Sequence, residues 1–182
     1  MGLEHPNNAE AHNNLGVAYS KSGQWQEAVA SYKKALRIKP DLAETHNNLG
    51  IAYDDLGQYE EAIASYKEAI RIKPDHANAH NNLGIAYGKS GQYQEAIASF
   101  KKALRIKPDL AEAHYNLGIA YDDLGQYEEA IASYKKALRI KPDYAEADLY
   151  GWTPESIAGR CYFGNFLLPW ESHSGSNQIS QN

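Results

Sequence analysis

"NNLGIAYDDLGQYEEAIASYK", residues 47–67, returns with one change as "YNLGIAYDDLGQYEEAIASYK" at 115–135, 68 residues further on. Prolines at 6, 40, 74, 108 and 142 divide that interval again, into steps of 34 residues. A fixed period in this range marks a repeat architecture. Four units follow, 9–42, 43–76, 77–110 and 111–144. Residues 1–8 read as the stump of a preceding unit, because "HPNN" stands where later units carry "KPDL". Residues 145–182 read as a partial capping helix followed by an irregular, aromatic-rich tail.

Inside a unit, "AHNNLGVAYSKSG" (11–23) and "EAVASYKKALRIK" (27–39) each place apolar or small residues at helical spacing, with no internal proline. Each unit is therefore expected to be a helical hairpin, helix A then helix B. In the second unit Asp41 with Glu44 predicts a capping box at the start of helix A, Gly57 its end, and Pro74 the limit of helix B. Glu60 and Glu61 open helix B, while Arg71 and Lys73 close it, which suits the helix dipole. A single hairpin cannot bury its own apolar face, so the units must stack into a solenoid. The expected core is Leu15, Ala18 and Tyr19 of helix A with Ala28, Tyr32, Ala35 and Leu36 of helix B, and their equivalents. Gly16 and Ala28 permit close helix approach.

Leu49, Gly50, Tyr53, Ala62, Tyr66, Ala69 and Pro74 recur in kind in the four units over about residues 6–144, and in this the chain resembles the tetratricopeptide repeat family. The resemblance implies an all-α, right-handed superhelical solenoid of antiparallel hairpins, about eight helices plus a C-terminal cap. It departs from the family at the usual tryptophan of the fourth position, where His12, His46, His80 and His114 stand. A second period lies inside the first. Units 2 and 4 share "DDLGQYEE" and differ at five positions (45/113, 47/115, 68/136, 70/138, 76/144), whereas units 1 and 3 share "KSGQ" and differ at six. The copying unit is thus a pair of repeats.

With 18 Lys and Arg against 23 Asp and Glu, the net charge of −5 argues against nucleic acid or an anionic membrane as partner. One cysteine, Cys161, allows no internal disulfide and no cysteine-based zinc site. No basic leader or long apolar run is evident, and a soluble, cytoplasmic protein is the expectation. The histidine column supplies one member per repeat, and stacked repeats roughly 10 Å apart cannot converge on one ion whose ligands lie about 2 Å away. Packed or hydrogen-bonded histidines, with stability lost in acid, are expected instead. No nucleophile elbow, phosphate loop or zinc-protease motif is present, so neither catalysis nor a cofactor is expected.

Helix periodicity leaves the second, fifth, sixth, ninth and thirteenth positions of helix A on the stripe opposite the core. That stripe carries Glu10, Glu44, Asn78 and Glu112; Asn13, Asn47, Asn81 and Tyr115; Asn14, Asn48, Asn82 and Asn116; an apolar floor of Val17, Ile51, Ile85 and Ile119; and an edge of Lys21, Asp55, Lys89 and Asp123. A primary amide offers donor and acceptor together, so the sixth-position asparagines can pair with a peptide backbone without reading its sequence. The column resembles the asparagine ladder in the tetratricopeptide region of O-GlcNAc transferase, which implies peptide-backbone binding; the plainer reading is that these amides solvate a surface or cap neighbours. Four bidentate contacts supply roughly 4–12 kcal/mol against an association cost of about 4–15 kcal/mol, so the apolar floor must contribute. The edge, with Asp54 and Asp122, either selects a ligand of alternating charge or merely pairs between neighbours. The fifth, ninth, second and sixth places, where a chaperone carboxylate clamp needs Lys, Asn, Lys and Arg, hold Asn, Val or Ile, Glu or Asn, and Asn, which argues against that activity.

The tail supplies the rival reading. Trp152, Tyr162, Phe163, Phe166, Leu167 and Trp170 are too apolar to stay solvated; they cap unit 4, dock on a neighbouring chain, or form a non-native extension. Docking across chains would build a head-to-tail oligomer or filament. The expectation is a non-catalytic scaffold binding a protein or peptide in the groove, with homo-oligomerisation as the alternative.

Overall fold

A computed structural model describes residues 8–142. The helices run α1 (Ala9–Lys21), α2 (Trp25–Ile38), α3 (Ala43–Asp55), α4 (Tyr59–Ile72), α5 (Ala77–Lys89), α6 (Tyr93–Ile106), α7 (Ala111–Asp123) and α8 (Tyr127–Ile140). These eight helices, with no strand among the described residues, form an all-α solenoid. Odd-numbered helices are the A helices and even-numbered ones the B helices. Each A helix packs on its own B helix and, from α3 onward, on the B helix before it, and successive A helices also touch. The tail residues from 143 onward, including Trp152, Tyr162, Phe163, Phe166, Leu167 and Trp170, lie outside the described residues.

Each hairpin turns on a glycine with positive φ, Gly23, Gly57, Gly91 or Gly125, at 71–79°. Only glycine takes that conformation without strain, and it frees the next residue to close the turn. Gln58 N–H accordingly donates to Tyr53 O at 2.9 Å, and Gln92 N–H to Tyr87 O at 2.8 Å.

A different glycine sets the helix A to helix B distance. A Cβ on Gly50 would lie 2.6 Å from Cε1 of Tyr66, and the same relation joins Gly16 to Tyr32, Gly84 to Phe100 and Gly118 to Tyr134. The Cδ1–Cε1–Cζ edge of the ring therefore lies against the helix A backbone. Around it Leu49, Leu83 and Leu117 are buried, as are Ala62, Ala69, Ala96 and Ala103. The first unit departs from the expected core. Leu15 is 44% exposed and Ala18 is exposed, because no helix B precedes α1 among the described residues. Leu36 is only half-buried.

The capping box expected from Asp41 and Glu44 is not formed. Helix α3 starts at Ala43 with Leu42 as its N-cap and no side-chain cap bond. Side chains cap two of the other A helices: Asn8 Oδ1 accepts from Ala11 N–H at 2.9 Å, and His76 Nδ1 accepts from Ala79 N–H at 3.4 Å. The fourth-position histidines do something different, bonding backbone outside the helix. His46, His80 and His114 hold Nε2 against the carbonyls of Pro40, Pro74 and Pro108 at 2.9, 3.0 and 3.0 Å. Each one fastens helix A to the loop that precedes it.

Burial holds His80 below its ordinary 6.5, opposed by the bond to Pro74 and reinforced by Lys102, His76 and Arg105. Burial likewise lowers His114, opposed by Pro108 and reinforced by Lys136 and Arg139. A histidine depressed in the folded state leaves the unfolded chain holding more protons just below 6.5. Stability contributed by the neutral imidazoles is thus fully present above that pH and lost as pH falls through the folded values. Thermal unfolding followed between pH 7.5 and 5 should show a falling midpoint, and replacing both histidines by Gln should flatten that slope. A slope unchanged in the double variant would assign the acid response elsewhere.

Candidate peptide-binding face

The fifth and sixth positions of helix A do different things. Asn82 Nδ2 donates to Asn47 Oδ1 at 3.1 Å, and Asn116 Nδ2 donates to Asn81 Oδ1 at 3.3 Å. Each of these sixth-position amides is thereby held by the fifth-position amide of the repeat before it. Asn81 also donates to Glu112 Oε1 at 3.2 Å, and between the first two units Thr45 Oγ1 donates to Asn13 Oδ1 at 3.0 Å. Asn13 Nδ2 reaches Asn14 Oδ1 at 3.5 Å.

This corrects the expected stripe: Asn47 and Asn81 are buried, at 6% and 2% exposure, because adjacent A helices close over the fifth position. The sixth position stays on the open face, with Asn48, Asn82 and Asn116 half-buried and Asn14 exposed. Asn82 and Asn116 spend one amide hydrogen on the seam; a second hydrogen and the carbonyl oxygen remain. Tyr115, at the fifth position of the last described repeat, is half-buried with its ring 5.7 Å from Tyr134 at 55°.

At the charged edge one pair joins neighbouring repeats. Lys89 Nζ lies 2.5 Å from Asp54 Oδ2, and it stands 5.9 Å from the Tyr59 ring centroid. Lys89 is thus committed within the chain, which favours the pairing reading of the edge over a charge code. Asp55 has its carboxyl pushed up by partial burial and by the adjacent Asp54, with Lys89 opposing. Lys21 and Asp123 are exposed at the ends of α1 and α7.

The twelfth position, which helix periodicity alone does not single out, distinguishes one repeat. Ser20 Oγ lies 3.1 Å from Tyr32 Oη. Asp54 raises the Tyr66 phenol further after burial has already done so. In unit 3 both partners lose their polar groups at once, to Gly88 and Phe100. Nothing would lie within 4 Å of a Cβ on Gly88, and a hollow of about 280 Å³ opens there between α5 and α7. Ile85, Phe100 and Ile119 line it, with Asn116, Lys89 and Asp123 at its margin. Five of the residues singled out from sequence, Ile85, Lys89, Asn116, Ile119 and Asp123, are thus brought to one place. Val17 and Ile51 are half-buried elsewhere on the face. The paired change of Gly88 and Phe100 was visible in the aligned units; what hid it was that residues twelve apart in sequence meet only across the hairpin.

Stacked helical hairpins with a glycine-aromatic contact in every unit define an α-helical repeat protein. Family models described as tetratricopeptide repeat match residues 75–143 and 4–30, and one described as TPR repeat matches 18–56 and 52–91. The chain belongs to the tetratricopeptide repeat family. Among solved structures it is similar to the crystal structure of MamA, at 32% identity over 78% of this chain and 83% of that one, with a TM-score of 0.73. It is also similar to TTC0263, a thermophilic TPR protein in Thermus thermophilus, at 28% identity over 85% and 84%, TM-score 0.71. YrrB, described as a TPR protein with an unusual peptide-binding site, matches at 25% identity over 80% and 75%, TM-score 0.71. A search of curated proteins finds no match. Among the described residues no helix is long and apolar enough to cross a membrane.

Proposed function

We propose that the chain is a non-catalytic protein-interaction module that takes an extended peptide along its A helices. The observation that carries this is the adjacency of Asn116 to the apolar hollow at Gly88 and Phe100. An amide anchored on one side by Asn81 keeps its carbonyl and one hydrogen for a backbone, while the hollow takes an apolar side chain. Asn48 and Asn82 repeat the amide at roughly 10 Å intervals, about three residues of an extended strand. YrrB, described as carrying a peptide-binding site, lends the reading support from a similar structure.

Peptides selected on the full chain from a phage-displayed library and then synthesised provide the test. Replacing Asn82 and Asn116 together by Ala should weaken their binding roughly tenfold or more, as expected when several net hydrogen bonds are lost. Gly88→Leu should fill the hollow and weaken chiefly those peptides that carry Leu or Ile. Unchanged affinity in both variants, with helicity intact by circular dichroism, would sink the reading.

A further inference from the structure

Successive B helices do not pack on one another as the A helices do; between them lie troughs floored by the intervening A helix. One lies between α4 and α6, with a volume of about 280 Å³, lined by Lys67, His80, Tyr87 and Lys102. The trough between α6 and α8, floored by α7, is much larger, at about 710 Å³. Lys101 and Arg105 stand on one wall, Lys136 and Arg139 on the other, with Glu129 the one carboxylate among the lining residues. In a chain of net charge −5 this is a local excess of three positive charges, four cations less one carboxylate. Among the described residues none of the four cations forms an ion pair. On the α7 floor Leu117 and the Tyr121 ring stand beside the His114 imidazole, with Leu104 of α6 adding apolar surface, and the Lys101 ammonium sits 5.4 Å from the Tyr121 centroid.

Comparison of the repeats sharpens the point. Lys136 corresponds to Glu68, one of the five positions at which units 2 and 4 differ. Glu68 holds Arg71 through contacts of 2.7–3.0 Å, so in repeat 2 the wall neutralises itself. In repeat 4 Lys136 leaves Arg139 without that partner, and both side chains face the trough. Two near-copies thus differ by a charge reversal at this groove.

We propose that the α6–α8 trough is a second binding site, on the side of the solenoid away from the amide column, for an acidic peptide segment of a partner protein. Carboxylates of the segment pair with the two cationic walls, and an apolar side chain between them rests on Leu104, Leu117 and Tyr121. Charge complementarity selects the acidic partner, and the apolar surface selects a peptide over a simple polyanion.

A fluorescein-labelled peptide EEDLLEDE titrated into the full chain at low salt tests this by fluorescence anisotropy. Saturable one-to-one binding is expected, weakened by salt. Lys136→Glu installs the carboxylate that repeat 2 already carries, so the fold should persist by circular dichroism while affinity drops roughly tenfold or more, as for loss of a charge-assisted contact. The Asn82 and Asn116 double Ala variant should bind this peptide as well as the parent, which separates the trough from the A-helix face. Undiminished affinity in Lys136→Glu overturns the proposal, as does equal binding of EEDSSEDE. Tighter capture of phosphatidylserine vesicles or of a single-stranded oligonucleotide would make the trough a general polyanion surface and overturn it too.

Discussion

Gly50→Val is expected to cost about 3 kcal/mol, the upper part of the range for overpacking a filled interior. At 2–4 °C per kcal/mol that is roughly 6–12 °C off the unfolding midpoint. The reason is room. A Cβ at residue 50 would meet Cε1, Cδ1 and Cζ of Tyr66 at 2.6, 2.7 and 2.9 Å, and Tyr66 is 2% exposed. The ring has nowhere to go, because Ala62 and Ala69 on its own helix are fully buried beside it. Helix propensity works in the opposite direction, since Val is a better helix former than Gly. Gly88→Val provides the matching control: it also lies in a helix A, yet nothing stands within 4 Å of its Cβ. Its effect should stay within about 0.5 kcal/mol, set by propensity alone. Equal losses at the two sites would refute the steric account. A further check is the Tyr66→Ala background, where Val at position 50 should cost little, because a clash needs both partners. Because each repeat touches only its neighbours, the loss in Gly50→Val should be concentrated in α3 and α4 by hydrogen exchange.

The arrangement of helices was legible in the sequence because a 34-residue period, a turn glycine and a proline all mark the same boundaries. Gly50 could be read as a close approach, although not as a contact with Tyr66, sixteen residues away across the hairpin. The cap at Asp41 failed for a local reason: helix α3 begins one residue later than the box requires, with Leu42 at the N-cap. His46, His80 and His114 instead tie helix A to the loop before it by reaching the carbonyl six residues back, a contact that rules for neighbouring residues do not cover. The candidate site was less legible. Helix periodicity assigns the fifth and sixth positions to one stripe, but the closeness of consecutive A helices buries one and leaves the other open. That closeness depends on packing between repeats, which no single helix encodes.

Asn81→Ala should therefore destabilise the chain, by about 1–3 kcal/mol, the cost of losing two hydrogen bonds and the filled volume of a fully buried side chain. Asn81 is 2% exposed and is among the largest fully buried side chains; it accepts from Asn116 and donates to Glu112, both on α7. Removing it leaves the half-buried Asn116 amide short of one acceptor, whereas Glu112, being exposed, recovers water. Asn82→Ala breaks one bond and leaves the buried Asn47 Oδ1 without that donor, so it should cost about 1 kcal/mol, less than Asn81→Ala, which breaks two bonds and empties a fully buried side-chain volume. The two neighbours thus separate stability from recognition: urea unfolding should rank Asn81→Ala well below Asn82→Ala, and α7 should exchange its amide hydrogens faster in the former. Asn81→Asp refines the test. It keeps the acceptor for Asn116 but sets a carboxylate against Glu112, so its deficit should shrink on acidification as one of the pair is protonated. If Asn82→Ala proved the more destabilising, the fifth-position amides would not be the seam between repeats. If Asn81→Asp kept peptide affinity while Asn81→Ala lost it, the fifth position would act by aiming Asn116. Tyr115 occupies this place in the last described repeat, where no sixth-position asparagine follows among the described residues, and there a ring against Tyr134 takes the place of an amide.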